Sequence, residues 1–136
     1  MKIQESAENY LETILILSQT GTPIRSIDIV NELGFSKPSV SVAMKKLREN
    51  GYINMDDDGH ITLLAAGREI AERIYERHTL LSQLLIRLGV DEATAVEDAC
   101  RIEHVISPET FQKIKEHAAA FASSPDGQQQ TAGFHR

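Results

Sequence analysis

The 136-residue sequence predicts a mainly α-helical fold, a winged helix-turn-helix followed by a second, helical domain. Apolar residues recur at helical spacing in six segments separated by Gly, Pro and Asn breaks, and two short β-prone pieces around a turn follow the third segment. No apolar run approaches the roughly 18–20 residues that a membrane span needs, and the opening MKIQESAENY lacks the apolar stretch of a signal peptide. A cytoplasmic location is expected.

Each element follows from its residues. Between Ser6 and Ser18, Tyr10, Leu11, Ile14, Leu15 and Leu17 form one stripe, with Glu5, Glu8, Asn9 and Glu12 off it, which makes an amphipathic first helix. TGTP (20–23) breaks it, and a second helix is expected over SIDIVNEL (26–33) with Ser26 as N-cap. Gly34 suits a left-handed turn, Ser36 the N-cap of a third helix and Pro38 its first turn, and NG (50–51) ends that helix. YINM (52–55) and HITLL (60–64) flank DDDG, a hairpin turn, and form the wing. After AAG (65–67) a long helix places Ile70, Ile74, Leu81, Leu84, Leu85 and Leu88 on one stripe until Gly89. A fifth helix starts near Asp91 and runs to about Ile106, SPE (107–109) starts a sixth, and polarity takes over after Phe121. The expected domains are 1–66 and 67–122, with a loose polar tail over 123–136.

The net charge of −6 argues against nucleic-acid binding, but the charge is segregated. Between Gly34 and Asn50, Lys37, Lys45, Lys46 and Arg48 face Glu49 alone, while acids collect in the first helix, at Asp56–Asp58 and from Asp91 to Glu103. A basic patch for DNA and a separate acidic patch for a cation account for that pattern.

The third helix is the expected reading head. Its inward stripe is Val40, Met44 and Leu47, which leaves Pro38, Val42, Lys45 and Lys46 on the opposite side with Ser39 and Ser41 on the flanks. Small polar residues near the start allow close approach to bases and phosphates, lysines further along meet the backbone, and an exposed Val42 suits a thymine methyl. Arg25, Ser36 and Lys37 are counted with these as expected DNA contacts. A solvated lysine-bearing helix is the plainer alternative; the short helix before it, the Gly turn and the hairpin after it favour DNA. DDDG does not continue with the alternate-ligand spacing of a calcium loop, so it reads as a wing tip, and His60 beside it either reaches a phosphate or a minor-groove edge or has no specific role.

CRIEH (100–104) holds the sole cysteine, which excludes an internal disulfide. Ala95, Ala99, Ile102 and Ile106 are the expected buried stripe of the fifth helix, so Cys100, Glu103 and His104 are expected on the neighbouring, partly polar face. Positions i, i+3 and i+4 converge on one spot, and sulfur, carboxylate and imidazole together suit Fe²⁺, Co²⁺, Ni²⁺ or Zn²⁺ better than Ca²⁺ or Mg²⁺. Asn9 and Glu12 on the first helix and His78 on the long helix are further potential ligands. A lone cysteine is more often a small core residue, and a Glu-His pair more often surface; the three together favour a metal.

AENYLETI, GFSKPSVSVAMKKLRENGYI, RHTLLSQLL and EDACRIEHVIS give the chain, from about Glu5 to Ala118, a resemblance to the diphtheria toxin repressor family of iron- and manganese-dependent transcriptional regulators, in its short two-domain form. The resemblance implies a homodimer, with a helical dimerisation domain after the winged helix and regulatory metal bound between the two. Glu12, His78, Glu103 and His104 coincide with ligands of the manganese-sensing branch, whereas Cys100 matches the iron-sensing branch and Asn9 matches neither. Ser82 and Val96 stand where the iron branch has ancillary ligands. Neutral oxygen and soft sulfur in place of two carboxylates rank Fe²⁺ before Mn²⁺, with Zn²⁺, Co²⁺ or Ni²⁺ as in vitro substitutes and one or two ions per subunit.

The expected function is metal-activated DNA binding at a palindromic operator, with repression of metal-uptake genes as the family default and no enzymatic activity, membrane partner or small organic substrate. Metal tying the first helix to the fifth would select one spacing of the two reading heads. Leu80, Leu84, Leu88 and Val105 are candidate dimer contacts. Two rivals are a metalloenzyme, since His78, His104 and Glu103 resemble in type a non-haem iron triad, and a thiol redox regulator using Cys100.

Overall fold

The computed structural model describes residues 5–122. Its elements are α1 (Glu5–Ser18), α2 (Ser26–Leu33), α3 (Lys37–Glu49), β1 (Ile53–Met55), β2 (Ile61–Leu63), α4 (Ala65–Arg87), α5 (Glu92–Val105) and α6 (Pro108–Ala122). The expected loose tail over 123–136 lies outside the described residues. The described chain falls into two compact units, one up to Tyr75 and one from Glu76.

The first unit is built on one apolar core. Tyr10, Leu11, Ile14 and Leu15 of α1 meet Ile29 of α2, Val40, Met44 and Leu47 of α3, Ile53 and Ile61 of the hairpin and Ala71 of α4. Strands β1 and β2 pair antiparallel with Asn54 opposite Thr62, and Ile24 adds a single bridge to Ile61, whose N–H donates to the Ile24 carbonyl at 2.8 Å. That bridge corrects one expectation. It holds Ile24 and Arg25 extended, so Arg25 rather than Ser26 is the N-cap of α2, and the Asp28 carboxylate accepts from the Arg25 N–H at 2.8 Å. Gly34 then takes φ 71°, the left-handed turn that carries the chain into α3. At α3 the Ser36 hydroxyl accepts from the Ser39 N–H at 3.3 Å, as an N-cap should.

A second correction concerns AAG. The long helix begins at Ala65, ahead of the glycine: Arg68 N–H donates to the Leu64 carbonyl at 2.9 Å, while Leu64 N–H donates to the Tyr52 carbonyl at 3.0 Å. Gly67 serves space, because a Cβ there would overlap the Tyr52 carbonyl oxygen.

The second unit contains the rest of α4 with α5 and α6. Leu81, Ala95, Ala99, Phe111 and Ala118 are buried, and so are Arg77, Ser82 and Glu103. Leu88 departs from its expected stripe. It follows the last residue of α4, at the turn where Gly89 adopts φ 102°, and is 72% exposed. Val105 is 75% exposed, whereas Leu80 and Leu84 are half-buried.

Candidate metal centre and nucleic-acid interface

The candidate metal centre is densest at the end of α5. Glu103 was expected on a partly polar face, but the structure buries its side chain completely. Its Oε2 lies 2.8 Å from His78 Nδ1, and its Oε1 lies 3.4 Å from His104 Nε2. The His104 side chain is itself 2% exposed. Ala95 and Ala99, small and fully buried, precede Glu103 at helical spacing on α5 and leave room for a neighbouring helix to approach. A carboxylate taken out of water is costly unless compensated, and here two imidazoles stand against it. One carboxylate and two imidazole nitrogens are the donor chemistry that divalent transition ions take, so the residues present fit such an ion.

The other expected ligands are placed as follows. Cys100 is one turn before Glu103 on α5, half-buried and outside any disulfide; neither it nor His104 belongs to a group of three His, Cys, Asp or Glu donors within 4.8 Å of one another among the described residues. Asn9 is half-buried and Glu12 buried on α1. Glu8, expected off the apolar stripe, is also buried, and Arg73 Nη2 donates to its Oε2 at 3.0 Å. Ser82 is 2% exposed, and its hydroxyl meets no hydrogen-bond partner among the described residues.

The expected nucleic-acid face is on α3. Val40, Met44 and Leu47 are buried at 0%, 1% and 5% exposure, which turns the remaining positions outward. Ser36, Lys37, Pro38, Ser39, Ser41, Val42, Lys45 and Lys46 are all exposed, Val42 at 55%. Arg25 is exposed at the start of α2.

The wing tip forms a second donor cluster, with Asp56, Asp58 and His60 atoms within 4.8 Å of one another. Turn geometry accounts for it. Asp56 Oδ1 accepts from the Asp58 N–H at 2.9 Å and the His60 N–H at 2.8 Å, while its Oδ2 lies 3.3 Å from His60 Nδ1. The His60 N–H bond is the main cause that holds the Asp56 carboxyl below its ordinary value.

One residue that sequence reasoning missed is Arg77, which is buried and donates to the Glu103 and Ile106 carbonyls. Its signal was present: it falls three residues after Ile74 and four before Leu81, on the buried stripe of α4 and beside His78.

Comparison with known proteins adds to this geometry. Residues 2–61 match the iron dependent repressor N-terminal DNA binding domain, and residues 65–132 match the iron dependent repressor metal binding and dimerisation domain. An HTH-type transcriptional regulator of Methanocaldococcus jannaschii is 35% identical over 115 residues, which are 83% of this chain and 92% of that protein. The HTH-type transcriptional regulator MntR of Lysinibacillus sphaericus is 31% identical over 89% of this chain and 87% of its own. Among solved structures, a manganese-dependent transcriptional repressor in complex with manganese superposes with a TM-score of 0.76 at 26% identity, over 82% of this chain. The chain spans 51% of that structure's length. The two family models and the manganese-bound structure are of metal-dependent regulators, and the thiol-redox alternative finds no support in these matches.

Proposed function

Since the chain belongs to the iron-dependent repressor family and is a metal-dependent DNA-binding transcriptional regulator, we propose that Glu103, His78 and His104 are the core of its regulatory metal centre. The observation that carries this reading is the complete burial of Glu103 with an imidazole nitrogen at 2.8 Å and a second at 3.4 Å. Cys100 on α5 and Asn9 and Glu12 on α1 are proposed as additional donors, chosen for their chemistry and position in the sequence. When bound, the ion supplies the positive charge that compensates these buried acids. Fe²⁺ is ranked before Mn²⁺ on the Cys100 and Asn9 donors.

The functional division we propose is DNA binding by 1–66 and metal binding with dimerisation by 67–122, with Leu88 and Val105 in the dimer contact. The family matches over 2–61 and 65–132 and the exposure of both side chains support it. Ser36, Lys37, Pro38, Ser39, Ser41, Val42, Lys45 and Lys46, with Arg25, form the proposed DNA contacts. A twofold dimer carrying two α3 helices implies a palindromic operator, with repression of metal-uptake genes as its output and no enzymatic turnover. Metal coupling of the usual size, about 1–3 kcal/mol, changes operator affinity roughly 5- to 150-fold.

The test is anaerobic fluorescence anisotropy of the reduced protein on DNA from upstream of its own gene, at fixed ionic strength, with chelator, Mn²⁺ or Fe²⁺. Tightening with metal supports the reading, and the order of the two metals reports selectivity. Specific binding that is equal with chelator and with either metal rules it out.

A further inference from the structure

Arg77 stands out among the buried side chains of the second unit, because an arginine is rarely enclosed without a reason and this one is only 7% exposed. Its Nη1 donates to the Glu103 carbonyl at 3.1 Å and to the Ile106 carbonyl at 2.9 Å. Its guanidinium carbon lies 5.3 Å from the centroid of the Phe111 ring on α6. Ile106 is the C-cap of α5, so these carbonyls belong to the helix end where acceptors lack intrahelical partners and partial negative charge accumulates. A cation at that point satisfies both requirements, and the aromatic face adds a cation–π contact.

The next residue, His78, meets the side chain of the same glutamate, with its Nδ1 at 2.8 Å from Glu103 Oε2. Two consecutive residues of α4 therefore hold Glu103 at both ends, Arg77 by its backbone carbonyl and His78 by its carboxylate. We propose that Arg77 is a positioning residue for the metal centre: it fixes the end of α5 so that Glu103 and His104 present their donors to His78. The inference rests on the reading that these three side chains bind metal. A purely structural cap would stabilise the fold and leave the intrinsic metal affinity of the folded protein alone.

The experiment measures Co²⁺ binding to the full chain by titration calorimetry and by the visible absorption of the bound ion, alongside thermal melting in chelator. Arg77→Met is expected to weaken binding about 10- to 100-fold, as loss of an outer partner of a metal ligand does, and to alter the Co²⁺ spectrum. Arg77→Lys restores most of the affinity, because a single donor nitrogen serves both carbonyls. Phe111→Leu, which removes the ring face and leaves the carbonyl contacts in place, lowers the melting temperature without changing the spectrum. An Arg77→Met protein that is folded, binds Co²⁺ as tightly as the parent and shows the parent spectrum overturns the proposal. If Arg77→Met does not fold, Arg77→Gln, a neutral donor of shorter reach, replaces it under the same criteria. His78→Ala separates the two levels: parent-like Co²⁺ binding in that variant overturns the metal assignment itself, and the role of Arg77 with it.

Discussion

His78 Nδ1 and Glu103 Oε2 lie 2.8 Å apart, and the carboxylate in that pair has no exposed surface. The two residues are 25 positions apart in sequence and come from different helices. Burying a carboxylate beside an imidazole is an expensive way to hold two helices together, since apolar residues of similar volume often do so as well or better. The ligand role proposed above gives the pair a reason to be placed there.

Metal should therefore stabilise the folded chain. At a free ion concentration of 100 times Kd, ligand linkage contributes about 2.7 kcal/mol, a rise in Tm on the order of 5–15 °C for a protein of this size. Glu103→Gln removes the charge while keeping the shape, and in that variant the rise should fall below about 3 °C on the same scale. Differential scanning calorimetry with chelator and with metal reads both values.

Lys45 and Lys46 are exposed on α3, and as phosphate contacts each should contribute to the salt dependence of DNA binding. Replacing either with Ala should weaken binding on all sequences alike and reduce the slope of log K against log salt by about 0.9. Val42→Ala should instead act at one base step and leave the slope unchanged. Anisotropy titrations over a salt series separate the two behaviours.

Ser36→Ala removes the hydroxyl that accepts from the Ser39 N–H and should cost about 1 kcal/mol of stability by urea melting. Ser36→Gly should cost only a few tenths of a kcal/mol. Equal losses for the two would mean that the serine matters for something other than the cap.

Gly67→Ala supplies a test with an unexpected sign. Alanine in place of glycine inside a helix ordinarily gains about 1 kcal/mol, but here its Cβ would overlap the Tyr52 carbonyl. The substitution should destabilise by about 1–3 kcal/mol, the usual cost of overpacking, and a urea-melt midpoint above that of the parent would refute the close approach.

The Asp56 carboxyl should report on the wing turn. The Asp56 carboxyl is held below its ordinary 3.8 by the His60 N–H, so its contribution to folding is fully present above the unfolded value and is lost as pH falls through the lower, folded value. The backbone amide resonances of Asp58 and His60 should move together with a midpoint under 3.8. A midpoint at or above that value would mean that the Asx turn does not persist in solution.

The sequence by itself determined the order of helices and hairpin, the Ser36 cap, the outward face of α3 and the family, because these depend on local spacing, caps and contiguous motifs. Val40, Met44 and Leu47 announce the buried side of α3 by their period alone, and burial agrees. Tertiary structure decided the rest. Period showed that Cys100, Glu103 and His104 share a side of α5, but only the packing of α4 against that helix made Glu103 a fully buried partner of His78. The same contact turned Arg77, one more charged residue in the sequence, into the clamp on the end of α5, through carbonyls 26 and 29 residues away. The Ile24–Ile61 bridge moved the cap of α2 to Arg25, and the Tyr52 carbonyl gave Gly67 its reason. A helical period tells which residues lie together on one face, and contacts between segments distant in sequence decide what that face meets.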